Sequence, residues 1–308
     1  MSREARVYAG RFAPSPTGPL HAGSLATALA SRLDALAHGG RWLLRIEDLD
    51  PPREQPGATE HILGTLAVLG FRSDGEILFQ SRRQAHYEDA FARLCAAGHV
   101  YPCACTRREI ADSLTRRGLA HERHGERVYP GTCRAGLPPG RAARAWRVAV
   151  DGTPIRWADR GQPDPREDRL DRSVGDFVLR RADGLWAYQL AVVVDDGAQA
   201  VTDVVRGDDL LEATPRQAWL QSLLGLPRPR WLHLPVITDA RGDKLSKQTG
   251  APAVDAREGV RALETALAHL HLPPTGAATL EAFWPRATAS WAQRWLAGGN
   301  RQEPRPAG

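Results

Sequence analysis

Lysine is nearly absent from this chain. Of 41 basic residues only Lys244 and Lys247 are lysines, and both fall in the segment Lys244-Leu245-Ser246-Lys247-Gln248. Arginine carries the positive charge everywhere else, so a lysine pair confined to one short segment calls for a local reason. Long apolar runs are missing too: none reaches the ~20 residues a membrane-spanning helix needs. The opening Met1-Ser2-Arg3-Glu4-Ala5-Arg6 lacks the apolar core of a secretory leader. These absences argue against a membrane role and lead to the expectation of a cytoplasmic protein. Cysteine is sparse. Cys95, Cys103, Cys105 and Cys133 are the four in the chain, and in a cytosolic protein of this size they are not expected to form structural disulfides.

The 308 residues are enough for two or more domains with real cores. The net charge of +5 is compatible with a polyanionic partner. Along the chain, residues 6–12 read as a strand, followed by a Pro/Gly loop. Leu25, Ala28, Leu29, Leu33 and Leu36 then recur at helical spacing up to about Ala37. Residues 41–46 form a continuous apolar strand of the buried parallel kind. Ile62, Leu63, Leu66 and Leu69 mark a second helix, and Phe91, Leu94 and Cys95 a third. This alternation predicts an α/β fold with a doubly wound parallel sheet. Residues 177–179, 186–194 and 200–205 read as further strands, 217–224 as a helix, and 231–237 as a last strand. The region from 255 to about 298 reads as helical. The expected organisation is a Rossmann-type domain from residues 1–100 and 173–243, an inserted subdomain at 101–172, a lysine loop and helical C-terminal region at 244–298, and a disordered tail at 299–308.

Two segments carry chemistry as a pair. Pro14-Ser15-Pro16-Thr17-Gly18-Pro19-Leu20-His21-Ala22-Gly23-Ser24 opens the first helix, and the lysine segment lies far downstream. Taken singly they can be a Pro/Gly turn and a solvated loop. Together they resemble the His-x-Gly-His and Lys-Met-Ser-Lys-Ser signatures of class I aminoacyl-tRNA synthetases. Such enzymes join an amino-acid carboxylate to the α-phosphate of ATP as pyrophosphate leaves. That reaction needs alignment and stabilisation of spreading negative charge more than covalent help. A helix N-terminus offers free N–H groups and a positive dipole end to phosphate. Gly23 would allow a nucleotide close to the backbone, and Lys244 and Lys247 would neutralise the pyrophosphate.

Four further strings sharpen the resemblance: Arg11-Phe12-Ala13-Pro14-Ser15, Arg45-Ile46-Glu47-Asp48-Leu49-Asp50, Arg206-Gly207-Asp208-Asp209-Leu210 and Thr214-Pro215-Arg216-Gln217. They resemble the glutamyl-tRNA synthetase catalytic domain over nearly the whole chain. The closer likeness is to its truncated paralogues, which glutamylate queuosine in the anticodon of tRNA(Asp). The Asp50-Pro51-Pro52-Arg53-Glu54 continuation, Gln248 and the cysteine cluster favour that branch. So does the short stretch after the lysine motif, which leaves no room for an anticodon-binding region.

The resemblance implies a glutamate pocket lined by Arg11, Phe12, Ala13, Pro14, Ser15, Glu47, Tyr188 and Arg206. It implies ATP contacts from His21, Gly23, Ser24 and Lys247, with His21, Lys244 and Lys247 acting on the phosphates. These residue types suit glutamate. Two arginines can fork onto carboxylates, Glu47 can pair with the ammonium, and Tyr188 can donate its hydroxyl. Asp48 and Asp50 can hold Mg²⁺ through water or simply cap their loop. Ser24 stands where many class I enzymes have a second histidine, as is common in the glutamate branch.

Cys103-Ala104-Cys105 and Cys133 have the close spacing of thiolates that hold zinc tetrahedrally. General chemistry offers His121 or His124 as the fourth ligand, whereas the resemblance implies Tyr129. One structural Zn²⁺ is expected, with three unmetallated thiols as the alternative; Cys95 reads as a core residue. The expected activity is that of an ATP- and Mg²⁺-dependent ligase acting as a monomer on L-glutamate and queuosine-containing tRNA(Asp). The rivals are a minimal glutamyl-tRNA synthetase charging a 3′ end, a nucleotidylyltransferase, and a non-catalytic nucleotide- or tRNA-binding protein on the same fold.

Overall fold

Strand β1 (Ala9–Phe12) runs parallel to β2 (Arg41–Ile46), with Ala9 opposite Arg41 and Phe12 opposite Leu44. Helix α1 (Ala22–Ala37) connects them and buries Leu25, Ala28, Leu29 and Leu33. Two glycines close the crossover. Gly39 takes a positive φ of 61°, and a Cβ on Gly40 would stand 2.5 Å from both Cβ and O of Tyr8. A side chain there would push β2 off β1. The computed structural model describes residues 7–116, 128–235 and 253–296.

After β2, helix α2 (Ala58–Val68) leads to the short β3 (Leu78–Phe79), which pairs parallel with β2. Helix α3 (Gln84–Ala96) then reaches β4 (Val100–Cys103) and α4 (Arg107–Arg116). β4 pairs antiparallel with β5 (Ala145–Val148). A hairpin of β6 (Ile155–Trp157) and β7 (Arg166–Asp168) follows, then the single turn α5 (Leu170–Ser173). β8 (Phe177–Arg180) returns to pair antiparallel with β5. The β6–β7 connection leans on the last strand of the parallel layer, where Asp159 bridges to Trp231.

Helix α6 (Tyr188–Ala198) comes next. Residues 186–194 read as a strand in sequence, and the structure corrects this to helix. Leu190, Ala191, Val192 and Val193 are all buried, because the helix is packed on more than one side. A short apolar run of that kind loses the polar face that would reveal its period. β9 (Asp203–Gly207), α7 (Thr214–Leu224) and β10 (Arg230–Leu234) complete a second parallel pair. Thr202 stitches this pair to the first: its N–H donates to Ala9 O (2.9 Å) and its Oγ1 accepts from Ala9 N (2.8 Å).

The C-terminal part is two helices, α8 (Val260–His269) and α9 (Leu280–Trp295), rather than one stretch. Leu263, Leu267, Phe283 and Trp291 join Leu25, Leu29 and Leu33 of α1 in one core. A second core packs α3, α6 and α7 against β5, β6 and β8. Asp34 of α1, wholly buried, fastens distant parts of the chain together. It accepts from Tyr8 (2.6 Å), Arg160 (2.6 and 2.8 Å) and Trp291 (2.9 Å). Burial opposes its ionisation, but Arg160, Tyr8 and Trp291 outweigh that and hold its carboxyl below the ordinary range. No described helix is long and apolar enough to cross a membrane.

Candidate active site

The parallel strands end at a cavity of about 680 Å³. Arg11, Phe12, Ala13, Pro14 and Ser15 enter it from the end of β1. His21, Gly23 and Ser24 enter at the start of α1, Glu47 after β2, Tyr188 at the start of α6, and Arg206 from β9. Every predicted glutamate- and ATP-contacting residue within the described part of the chain therefore lines one hollow. Lys244 and Lys247 lie outside the described residues, as do His121 and His124. The described neighbours of the lysine segment do reach the cavity edge. Pro235 lines it, and Ala253–Val254 pairs with the loop before α1, with Val254 N donating to Leu20 O (2.8 Å).

His21 is the N-cap of α1, and its ring is pinned against Ser24. Nδ1 accepts from Ser24 N (3.3 Å), and Nε2 lies 2.8 Å from Ser24 Oγ. An Nδ1 that accepts must be unprotonated, so Nε2 carries the hydrogen. The first turn of α1 holds no acidic residue, so its positive end meets the cavity uncancelled.

The charges around the cavity form a chain of alternating sign. Arg11, 4% exposed, donates from Nε to Asp196 Oδ1 (3.2 Å). The same oxygen accepts from Arg45 Nη2 (2.8 Å), and Arg45 reaches Glu47 Oε1 at 3.5 Å. Arg45 is completely buried and also donates to Gln199 (2.9 Å). The inner members, Asp196 and Arg45, are structural; the outer members, Arg11 and Glu47, face the cavity. Burial disfavours a charged Asp196, but Arg11 and Arg45 prevail and keep its carboxyl below the usual range. At Glu47 burial wins, and its carboxyl is pushed up. The Tyr188 phenol is pushed up by burial as well.

Arg206 differs from Arg11. Its Nε donates to His233 Nε2 (3.0 Å), Nη1 to Gln217 (2.9 Å), and Nη2 to Thr214 Oγ1 (2.8 Å) and Leu210 O (3.3 Å). Four of the five guanidinium donors are thus engaged inside the protein. Arg206 offers the cavity its charge and one N–H. A forked pairing is open to Arg11, whose two Nη nitrogens have no hydrogen-bond partner among the described residues. Arg45, Asp196, Gln217 and His233 were not singled out as site residues from the sequence. They touch the lining residues rather than the cavity; Arg45 and Gln217 fall within the motif strings, whereas Asp196 and His233 look like ordinary core positions in sequence.

The cysteine cluster lies apart from this cavity. Cys103, Cys105 and Cys133 bring their sulfurs within 4.8 Å of one another. The Tyr129 hydroxyl stands 3.3 Å from Cys103 Sγ and 3.6 Å from Cys105 Sγ, and it accepts from Cys133 N at 3.1 Å. Gly175, at φ 68°, lets the chain pass beside Tyr129; a Cβ there would stand 2.4 Å from Tyr129 O. Zinc–sulfur bonds of about 2.3 Å in a tetrahedron set sulfurs ~3.8 Å apart, and Cys105 and Cys133 are 3.5 Å apart. Burial pushes the Cys105 thiol up to about 11. At Cys103 burial is outweighed by hydrogen bonding with Tyr129 and Arg147, which draws its thiol down. Three thiols and a phenol converging with their acceptor atoms face to face suit a soft divalent cation better than they suit one another.

This cavity stands where doubly wound α/β domains bind their ligands, and the family match makes the domain a class I synthetase catalytic domain. The family described as "tRNA synthetases class I (E and Q), catalytic domain" matches residues 8–135 and 164–266, and the chain belongs to it. The chain is 55% identical over 299 residues to the Glutamyl-Q tRNA(Asp) synthetase of Chromobacterium violaceum, covering 97% of this chain and 98% of that one. It is 58% identical over 293 residues to the protein of the same name from Burkholderia mallei, covering 94% and 97%. Among solved structures it superposes on a glutamate tRNA ligase from Elizabethkingia meningosepticum in complex with its amino acid, at TM-score 0.73 and 25% identity. It also superposes on the glutamate-tRNA synthetase of Elizabethkingia anophelis, at TM-score 0.68 and 28% identity. The alignments cover 92% and 80% of this chain, but 64% and 53% of those longer chains.

Proposed function

We propose that the protein activates L-glutamate with ATP and transfers the glutamyl group to queuosine in the anticodon of tRNA(Asp). The observation that carries the activation step is the alternating chain Arg11–Asp196–Arg45–Glu47, with one cationic and one anionic end in the same cavity as the α1 N-terminus. Glutamate is a complementary ligand, because its ammonium meets Glu47 while its side-chain carboxylate meets the arginines. Arg206 adds a second positive charge, which suits an amino acid with two carboxylates. Strong pairing lowers the nucleophilicity of an oxygen, so the arginines are best used on the carboxylate that does not react.

In this reading ATP lies with its phosphates at the start of α1, near His21, Gly23 and Ser24, and Mg²⁺ accompanies it. An oxygen of the reacting carboxylate bonds to the α-phosphorus while the bond to the bridging oxygen breaks and pyrophosphate departs. Charge grows on the phosphates as this proceeds. The helix dipole, with His21 held by Ser24 at its start, and Lys247 with Lys244 oppose that charge. In the transfer step a hydroxyl of queuosine attacks the glutamyl carbonyl and AMP leaves. The acceptor is supported by the relatives' common name and by identity spread over almost their full length. Cys103, Cys105, Tyr129 and Cys133 are proposed to hold one structural Zn²⁺, which would cross-link β4 to the segment before β5 without entering the reaction.

The test is ATP–pyrophosphate exchange with each amino acid, followed by nuclease mapping of tRNA charged with labelled glutamate. Exchange should require glutamate and proceed without tRNA. Glutamine should be poor, since an amide leaves a buried arginine unpaired. Label should appear on the anticodon fragment of queuosine-containing tRNA(Asp) and not on the same fragment without queuosine. Label on the 3′-terminal adenosine would favour the glutamyl-tRNA synthetase reading instead.

A further inference from the structure

We infer that His233 is a positioning residue for Arg206, held as a neutral imidazole by Asp159 so that it can accept from the guanidinium, and that it thereby sets the affinity of the cavity for a carboxylate ligand. The geometry fixes the proton. Arginine only donates, so the 3.0 Å contact from Arg206 Nε requires a bare lone pair on His233 Nε2. The ring's hydrogen is then on Nδ1, which faces the Asp159 carboxylate. Asp159 is in turn oriented by Gly161 N (2.7 Å) and accepts from His233 N (3.2 Å), and its side chain is wholly buried.

The arrangement resists a second proton. A proton on Nε2 would set two donors and two cations face to face across 3.0 Å. The charged groups facing the ring are Asp159 from the β6–β7 connection, Arg206 from β9 and, more remotely, Asp208 beyond β9. Thr214 of α7 adds a hydroxyl at 3.2 Å, and the Trp157 ring of β6 closes the other side. Burial lowers the basicity of His233 despite Asp159. A segment of the chain that does not line the cavity thus sets the aim of a residue that does.

The kinetic part rests on the proposed activation of glutamate; the proton assignment does not, so two measurements separate them. First, histidine-selective ¹⁵N labelling of the full chain, with His233 assigned by comparison with His233→Gln, should show a neutral Nδ1–H ring that does not titrate from pH 8 to pH 5.5. A ring that titrates near 6.5, or that carries its proton on Nε2, would overturn the inference. Second, glutamate-dependent pyrophosphate exchange should show a KM for glutamate raised at least tenfold in His233→Leu with kcat changed less than threefold. His233→Gln, whose amide oxygen can accept from Arg206, should recover most of that loss. An unchanged KM in His233→Leu, or a loss in kcat alone, would overturn it too. If the wild-type protein shows no glutamate-dependent exchange, the proposed activity fails and the ¹⁵N spectrum alone decides the His233 assignment.

Discussion

Asp196→Asn removes one negative charge from between two buried guanidiniums and keeps the side-chain shape. Arg11 and Arg45 approach the same carboxylate oxygen at 3.2 and 2.8 Å. Glu47, at 3.5 Å from Arg45, and the more remote Asp195 are then the counter-charges left to Arg45. Removing one partner of a buried ion pair costs about 3–5 kcal/mol. The amide oxygen can still accept one bond, so the lower end applies, ~3 kcal/mol. With an unfolding entropy of about 2.1 cal/mol/K per residue over 308 residues, each kcal/mol moves Tm by about 1.5 °C, which gives a fall of about 4–5 °C. The ligand effect is separate. An Arg11 no longer aimed by a carboxylate loses a charge-assisted hydrogen bond to substrate, about 1.5–3 kcal/mol, or roughly 10- to 150-fold in KM for glutamate. Differential scanning calorimetry gives the first quantity and pyrophosphate exchange at varied glutamate the second, with the KM for ATP as the internal control. A variant that folds with lowered Tm but binds glutamate normally would refute the claim that Asp196 aims Arg11. Equal losses for glutamate and ATP would reduce Asp196 to a general structural role.

Lys247→Ala should lower the rate of exchange by two orders of magnitude or more while KM for glutamate changes less than threefold, because the charge it opposes grows only as pyrophosphate leaves; a stopped-flow comparison reads both. Metal analysis of the purified protein should find close to one zinc per chain, and Cys103→Ala should lose it with little effect on tRNA-independent exchange. Asp34→Asn should lower Tm at pH 7 by several degrees without touching glutamate KM. Asp34 has its carboxyl held below the ordinary range, so the stability it contributes is complete above the unfolded carboxylate pKa of about 3.9. That contribution is lost as pH falls from the unfolded value through the lower folded one, and the gap between variant and wild type in acid melts should narrow across that window.

Parts of the fold were legible because local rules and tertiary demands agreed. Helix α1 shows its period plainly, since Leu25, Leu29 and Leu33 face one core and Gly39–Gly40 end it. β2 was read over its observed range, Arg41–Ile46. Helix α6 was misread because packing on several sides erased its polar face. The C-terminal region was read as helical without internal boundaries, and α8 and α9 are the two helices in it. At the site, the lining residues were legible through motif strings near the ends of β1, β2 and β9. Their supports were not. Asp196 lies 185 residues from Arg11, and Asp159 lies 74 from His233. No period or spacing links such pairs; only the folded path does.

The carboxylate of Asp34 also bears on the order in which the chain can reach its final state during synthesis. Tyr8 is translated before it, but Arg160 arrives 126 residues later and Trp291 257 residues later. At about 5–20 residues per second, α1 must wait on the order of ten seconds or more for the indole that completes its buried anion. Until then the nascent sheet has an apolar helix face lacking Phe283 and Trp291, the side chains that cover it in the finished core. A ribosome paused before residue 280 would therefore hold a chain whose cavity-lining strands are all made but whose first helix has at most α8 and not α9 to cover it, a species suited to chaperone capture. Limited proteolysis of ribosome-arrested chains would show α1 becoming protected only once α9 has emerged.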